Sequence, residues 1–433
     1  MTKATEAMTF ENTAAYAHAQ DALDPLRGYR AAFHFPVING KEVLYFTGNS
    51  LGLQPKAARE ALLTELDDWA TWGVEGHFHA RNPWYSYHER FTEDAARIVG
   101  ALPKEVVMMN ALTVNLHLLM VSFFRPDKTT GRTKILCESK AFPSDQYAIE
   151  SQLRFHGLNP AAHMIEVAPR AGEHTLRHED IISQIEAHGS ELALVMLGGV
   201  NYYTGQVLKM EAITRAGHAV GAVVGFDLAH AAGNVVLNLH DWDVDFACWC
   251  TYKYLNSGPG SVAGAYVHER HANSPELPRF AGWWGYDKST RFAMQPGFHP
   301  IEGAEGWQMS NAPVMNMAAH RASLDIFSSA GMAAIRSKSE KLTAYLEFIL
   351  DEISAQFADT DFEVITPKAA DERGSQLSIL VHGRGKRLFD ALTSAGVVVD
   401  WREPNVIRMA PAPLYNSFAD VHRFGEILQQ CLR

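Results

Sequence analysis

Cysteine is scarce. The chain has four in 433 residues (Cys137, Cys248, Cys250 and Cys431), too few for a disulfide framework. Cys248-Trp249-Cys250 alternates as a buried strand would, so reduced core thiols are expected. A run of about 18 uninterrupted apolar residues is also missing, which argues against a membrane span. Met1-Thr2-Lys3-Ala4-Thr5-Glu6-Ala7-Met8 lacks the apolar stretch of a signal peptide, and the expected location is the cytoplasm. No dense run of Lys or Arg appears and the formal charge is -11, which disfavours nucleic acid as the main partner. Repeats and low-complexity tracts are likewise missing. A composition of 47% hydrophobic and 20% charged residues is that of an ordinary folded chain, for which a small-molecule ligand is expected.

The apolar residues fall into short runs between about 104 and 270: Val106-Val107-Met108-Met109, Lys134-Ile135-Leu136-Cys137, Leu192-Ala193-Leu194-Val195-Met196-Leu197, Val223-Val224-Gly225-Phe226 and Val244-Asp245-Phe246-Ala247-Cys248. Runs without polar alternation fit strands covered on both faces, so the fold class expected is α/β, a doubly wound and mostly parallel sheet. Ligands of such sheets lie at the carboxyl ends of the strands. Ahead of this region, Ala58, Leu62, Leu66 and Trp69 behind Pro55 predict a packed helix. After about 315, a long helical stretch leads to Phe362-Glu363-Val364-Ile365, Gln376-Leu377-Ser378-Ile379-Leu380-Val381 and Val397-Val398-Val399, as in a smaller α+β domain. The expected division is an N-terminal segment (1–70) on the small domain, a large domain (71–315) and a C-terminal small domain (316–433).

One pair of residues carries the chemistry. Asp227 ends the apolar run Val223-Val224-Gly225-Phe226, and Lys253 follows it within Thr251-Tyr252-Lys253-Tyr254-Leu255-Asn256-Ser257-Gly258-Pro259-Gly260. This pattern points to pyridoxal 5'-phosphate (PLP), held by Lys253 as a Schiff base with Asp227 against the pyridine nitrogen. The ring withdraws electrons only while that nitrogen is protonated, and a close carboxylate favours the protonated form. Alone, the lysine could be a surface residue lying on aromatic rings and Asp227 a helix cap.

Nearby segments fit the same cavity. Thr113, in Ala111-Leu112-Thr113-Val114-Asn115, is expected to cap a helix whose N-terminus can hold a phosphate. In Ala141-Phe142-Pro143-Ser144-Asp145, Phe142 could cover a flat coenzyme face while Asp145 approaches its edge; Ser144 or Asp145 could equally be an N-cap. His230 lies three residues beyond Asp227, within reach of a cofactor. Arg408 interrupts an apolar stretch, so it needs either a substrate carboxylate or an internal ion pair.

Two other motifs suggest different chemistry. His77-Phe78-His79 and His240-Asp241-Trp242-Asp243 lack the spacing of a zinc signature, so no metal is expected. Gly48-Asn49-Ser50-Leu51-Gly52 satisfies a G-x-S-x-G nucleophile elbow, but it lies too early in the chain for the strands that precede such an elbow. A glycine-rich loop with its backbone near a ligand is the better account.

Together these segments resemble the kynureninases, PLP enzymes of the aspartate-aminotransferase fold (fold type I). The resemblance rests on Phe46-Thr47-Gly48-Asn49-Ser50-Leu51-Gly52, Asn110-Ala111-Leu112-Thr113-Val114-Asn115, Ala141-Phe142-Pro143-Ser144-Asp145, Tyr202-Tyr203-Thr204-Gly205-Gln206, Gly225-Phe226-Asp227-Leu228-Ala229-His230, Tyr252-Lys253-Tyr254-Leu255-Asn256, Gly282-Trp283-Trp284-Gly285 and Arg408-Met409-Ala410-Pro411, in the family's order from about residue 45 to 415. It implies Lys253 as the Schiff-base lysine, Asp227 and Asp145 near the pyridine nitrogen, and Phe142 over the ring. Leu112, Thr113 and Tyr252 would approach the phosphate, with His230 as another cofactor contact and Arg408 on the substrate α-carboxylate. Trp283 and Asn311 would reach the cofactor region from the neighbouring subunit of a homodimer. Ser50, His77 and Tyr203 would line the substrate pocket, joined there by Asn311. The match is weakest at His79-Ala80-Arg81-Asn82-Pro83-Trp84, where the family is usually more basic.

The activity implied is hydrolysis of L-kynurenine, or its 3-hydroxy form, to L-alanine and anthranilate or 3-hydroxyanthranilate, in tryptophan breakdown or NAD precursor supply. Lys253 would move the α-proton and Tyr252 would relay protons. Hydrogen bonds from His77 and Asn311 could reach a ring 3-hydroxyl. The alternatives are another PLP lyase or aminotransferase of this fold, a serine hydrolase using Ser50, and a binding protein that kept the fold without the chemistry.

Overall fold

The computed structural model of the chain describes residues 9–272, 274, 276–357 and 362–433; the Met1–Met8 segment lies outside them. Seven strands form the large sheet: β1 (Val106–Met109), β2 (Lys134–Glu138), β3 (Met164–Val167), β4 (Leu192–Gly198), β5 (Val223–Asp227), β6 (Phe246–Trp249) and β7 (Ala263–Val267). Their order is β1-β7-β6-β5-β4-β2-β3, with β7 antiparallel to both neighbours and the other pairs parallel. β1, β6 and β7 are buried along their whole length, as expected of strands with helices on both faces. The five apolar runs all become strands. β3 and β7 were not anticipated.

A second sheet has four strands: β8 (Phe362–Val364), β9 (Leu377–Val381), β10 (Asp400–Arg402) and β11 (Val406–Met409), ordered β8-β9-β11-β10 and antiparallel throughout. It shares a core with the helices Met332–Gln356 and Phe418–Leu432. Val397-Val398 stays out of this sheet and pairs in parallel with Leu44-Tyr45. Phe46 and Thr47 continue the contact, because Ala410 N–H donates to Phe46 O at 2.7 Å and Thr47 bridges Ala410.

The helix predicted behind Pro55 spans Ala58–Trp72, but its buried face differs from the expected one. Ala58, Glu65 and Asp68 are buried, whereas Leu66 and Trp69 face outward. Polar partners explain this. Glu65 accepts hydrogen bonds from Asn82, Trp84 and Tyr87, and Asp68 accepts from Arg81. Buried carboxylates satisfied in this way displace the apolar stripe toward the surface.

At the amino ends of the parallel strands lies a dense set of ionisable groups. Asp245, just before β6, accepts from Val224 N–H at 2.7 Å, His218 Nε2 at 2.8 Å, His271 Nε2 at 2.7 Å and Arg270 Nη2 at 2.6 Å. Beside it, Glu105 accepts from the N–H groups of Leu102 and Glu269 and from His240 Nδ1 at 3.0 Å. Glu105, His240 and His268 stand close enough to suggest a metal site. Their ligand atoms are already engaged, with His268 Nδ1 accepting from Arg270 N–H. Among the described residues no helix is long and apolar enough to cross a membrane.

Candidate active site

The carboxyl ends of β2, β4 and β5 open onto a cavity of about 180 Å³. Lys253, only 9% exposed, reaches it from the segment after β6 and donates to His230 Nε2 at 3.0 Å. Asp227, the last residue of β5, turns its Oδ1 to the N–H of Ala229 at 2.7 Å, which fixes the carboxylate at the mouth of the strand. Pro143 sets φ for the first turn of the helix Pro143–Phe155, so Asp145 falls in that turn and shares a hydrogen bond with Asp227. The Phe142 ring closes one side, with Lys253 Nζ 5.8 Å from its centre.

Leu112 and Thr113 also line the cavity, at the start of the helix Leu112–Phe123. Thr113 does not cap this helix. Ala111 occupies the N-cap position, which has no side-chain hydrogen bond, and the Thr113 hydroxyl pairs instead with Ser144 Oγ at 2.8 Å. The helix N-terminus is therefore free of a competing side-chain acceptor, which suits an anion better than the expected cap. Neither Ser144 nor Asp145 is the N-cap of the next helix; that position belongs to Phe142.

Burial dominates the electrostatics. Removal from water pushes the Asp145 carboxyl well above its ordinary range, and the negative charges of Asp227 and Glu138 push it further. Asp227 is also raised by burial, although the Ala229 N–H and Lys253 partly offset this. Desolvation, with the positive charges of Lys253 and Arg408, holds His230 well below its usual value, so its neutral ring accepts from the lysine. Burial raises the Tyr252 phenol, which stays protonated as a donor.

Six expected site residues lie elsewhere. Arg408, on β11, has an internal partner: it pairs with Asp400 and donates to Tyr202 O at 2.5 Å, while its Nε has no partner. Tyr202 lines the lysine cavity, so the guanidinium stands directly behind that wall. Tyr203 lies in an adjoining cavity of about 560 Å³, which shares Tyr202 with the first. His77 bonds Val74 O through Nδ1 at 2.9 Å and packs edge-on against Trp84. Trp283, 44% exposed, and Asn311 are on the surface. Ser50 sits in a turn with no helix following, unlike a nucleophile elbow. In the same turn, Gly52 donates its N–H to Tyr252 O at 2.8 Å, and a Cβ there would lie 2.4 Å from Lys253 O. Glycine is needed for this approach to the lysine segment. Sequence reasoning missed Glu138, which ends β2 just before the flagged Phe142 segment; the rule placing ligands at strand carboxyl ends could have found it.

The chain is 56% identical over 423 residues to a kynureninase of Flavobacterium johnsoniae, covering 98% of this chain and 99% of that one. A kynureninase of Myxococcus xanthus is 58% identical over 421 residues, 97% of each chain. The chain belongs to the kynureninase family. A sequence model of the kynureninase C-terminal domain also matches residues 335–428. Among solved structures, the fold of this kynureninase family member resembles the cysteine desulfurase CsdA of Escherichia coli, with TM-score 0.74, 16% identity and coverage of 94% and 98%. A C-DES variant carrying glycine covalently linked to its PLP cofactor gives TM-score 0.73 at 17% identity, covering 89% and 96%. These likenesses establish a PLP fold type I architecture. In this chain Cys248 and Cys250 are buried, and burial raises both thiols.

The cavity fits such a coenzyme. It joins a buried lysine, an uncapped helix N-terminus, a flat aromatic wall and a carboxylate pair, and two polar atoms on its lining, His230 Nδ1 and Glu138 Oε2, are buried without partners.

Proposed function

We propose that the chain hydrolyses the Cβ–Cγ bond of L-kynurenine, releasing L-alanine and anthranilate, with pyridoxal 5'-phosphate bound at Lys253. The observation that carries this reading is the convergence of Lys253, Asp227 and Asp145 on one cavity in a chain so similar to named kynureninases. When bound, the coenzyme supplies an electron sink that stabilises the carbanion left by loss of the substrate α-proton.

The chain's own residues do the rest. Lys253 would hold the coenzyme, and its amine would move the substrate α-proton; neutral His230 accepts its hydrogen bond and orients the amine. Asp227, fixed by Ala229 and with Asp145 beside it, would hold the pyridine nitrogen of the coenzyme in its protonated form, and Phe142 would pack on the ring. Leu112, Thr113 and Tyr252 would hold the coenzyme phosphate, and the protonated Tyr252 phenol could pass a proton there. Arg408 takes the substrate carboxylate, either by sharing Asp400 or by leaving it. Turnover of L-kynurenine with equal yields of anthranilate and alanine is expected. Formation of a keto acid without anthranilate would identify an aminotransferase and end the proposal.

The active enzyme is proposed to be a cytoplasmic homodimer in which Trp283 and Asn311 of one copy complete the site of the other. Supporting this, Trp283 is exposed and belongs to a run of ring contacts through Phe292 and Tyr85 to Phe78, an apolar surface of the sort that interfaces cover. Ser50, His77 and Tyr203 would then edge the substrate pocket. Because His77 Nδ1 donates to Val74 O, its Nε2 is left as an acceptor suited to a ring hydroxyl. The 3-hydroxy substrate should therefore have a kcat/KM about tenfold higher. His77→Ala should erase the difference.

A further inference from the structure

Glu138 belongs to the coenzyme cavity yet has no part in the scheme above. It ends β2, is buried, and lines the cavity with Asp227 and Asp145. One oxygen lies 3.5 Å from Asn201 Nδ2, and the other, Oε2, is buried with no hydrogen-bond partner. The sheet register explains the placement. β4 runs between β2 and β5, and its last residue, Gly198, stands opposite Asp227. A Cβ on Gly198 would lie 3.2 Å from Glu138 Oε1, so the glycine lets the carboxyl group sit close against β4, and a larger residue would press on it. A buried carboxyl group with a free oxygen is costly unless it serves a charge that arrives later.

Resting on the coenzyme reading, we propose that Glu138 is a positioning residue of the site: across the Gly198 gap its carboxyl group sets the charge carried by the Asp227–Asp145 pair, and with it the hold on a protonated coenzyme ring. The groups facing it come from several elements. Asp227 is on β5, Asp145 on the helix after β2, Tyr202 on the loop after β4, and Lys253 and His230 are on the lining of the same cavity. On its own strand the neighbouring Cys137 thiol is raised by burial, so it stays neutral. Burial brings Glu138 to about 7, with the charge of Asp227 adding to the rise and the Gly198 N–H opposing it. The cluster therefore gains negative charge around neutral pH, and a nearby negative charge stabilises protonated forms of the bound coenzyme.

The test is a pH titration of the holoenzyme's visible absorbance band, with coenzyme dissociation measured at pH 6 and pH 8. In Glu138→Gln, which matches the protonated carboxyl in shape, the spectral midpoint should fall by about 1 unit and coenzyme should be held more weakly at pH 8 but not at pH 6. Glu138→Asp keeps the charge at a greater distance and should give a smaller shift in the same direction; it decides the matter if the Gln variant does not fold. A folded variant whose midpoint and pH 6 to pH 8 affinity ratio match the parent overturns the proposal. A parent protein with no visible band when loaded would instead overturn the coenzyme reading itself, so the two failures are distinct.

Discussion

The two edges of the large sheet bury similar chemistry and treat it in opposite ways. At the amino edge, burial would raise Asp245, but hydrogen bonds from His218, His271 and Val224 N–H outweigh it, and the carboxyl group is held below its ordinary value. At the carboxyl edge, Asp227, Asp145 and Glu138 are all raised, because burial is not matched by enough donors. Carboxylates with a full set of partners stabilise a fold. Carboxylates left short of partners can bind something else.

Breaking this contrast should be easiest at the lysine. Lys253→Ala should abolish the visible coenzyme band and lower turnover by about 10⁴-fold; normal activity in it would leave no role for the cavity described. Next comes a matched pair at the two edges. Asp227→Asn should reduce kcat by about 10³-fold with little loss of thermal stability, whereas Asp245→Asn should cost about 3 kcal/mol of stability while the coenzyme spectrum stays unchanged. Equal stability losses in the two variants would erase the distinction. Arg408 sharpens the comparison because it has features of both edges, with an internal partner and a free Nε. Arg408→Lys should raise KM by about 100-fold and lower Tm only slightly; a large fall in Tm at constant KM would make it purely structural.

The smallest expected effect is on the pH dependence of the coenzyme-free protein. A carboxyl group raised in the folded state binds protons there more readily than in the unfolded chain, so stability falls as pH rises through the folded value. For Glu138 that window lies between its ordinary value of 4.5 and about 7. Tm should therefore rise by about 2 °C from pH 7.5 to pH 5.5, and the rise should shrink in Glu138→Gln. Asp245 runs the other way. Its contribution is complete above the ordinary aspartate range and is lost as pH falls through its lowered value. Scanning calorimetry across both windows would separate the two edges.

Much of this was legible in the residues. Continuous apolar runs announced β1, β2, β4, β5 and β6, and a carboxylate ending one of them, followed by a lysine among aromatics and glycines, marked the cavity. The missed strands had physical reasons to be missed. Met164-Ile165-Glu166-Val167 is an edge strand carrying a charge, and Ala263-Gly264-Ala265 is built from small residues with little strand preference. The Thr113 side chain suits a cap, but the backbone turns two residues earlier, at Ala111. Glu138 follows the run Ile135-Leu136-Cys137 with no motif of its own, and only the opposite placement of Gly198 and Asp227 gives it meaning. Trp283, Asn311 and His77 carried no local sign of a substrate role; that role came from family resemblance, and a single copy leaves them outside the lysine cavity.

The segment from Leu44 to Gly52 acts as a splice. Its first residues are laced to Val398 and Ala410, Asn49 is tied to Gln376, and Gly52 grips the backbone beside Lys253. An engineer adding a tag or loop should choose the exposed Asn39-Gly40 turn, where both residues already take positive φ and extra chain can bulge outward. The same insertion a few positions later would cut the lacing between the C-terminal sheet and the lysine, and the reactive amine would lose its registration even though every residue of the cavity remained.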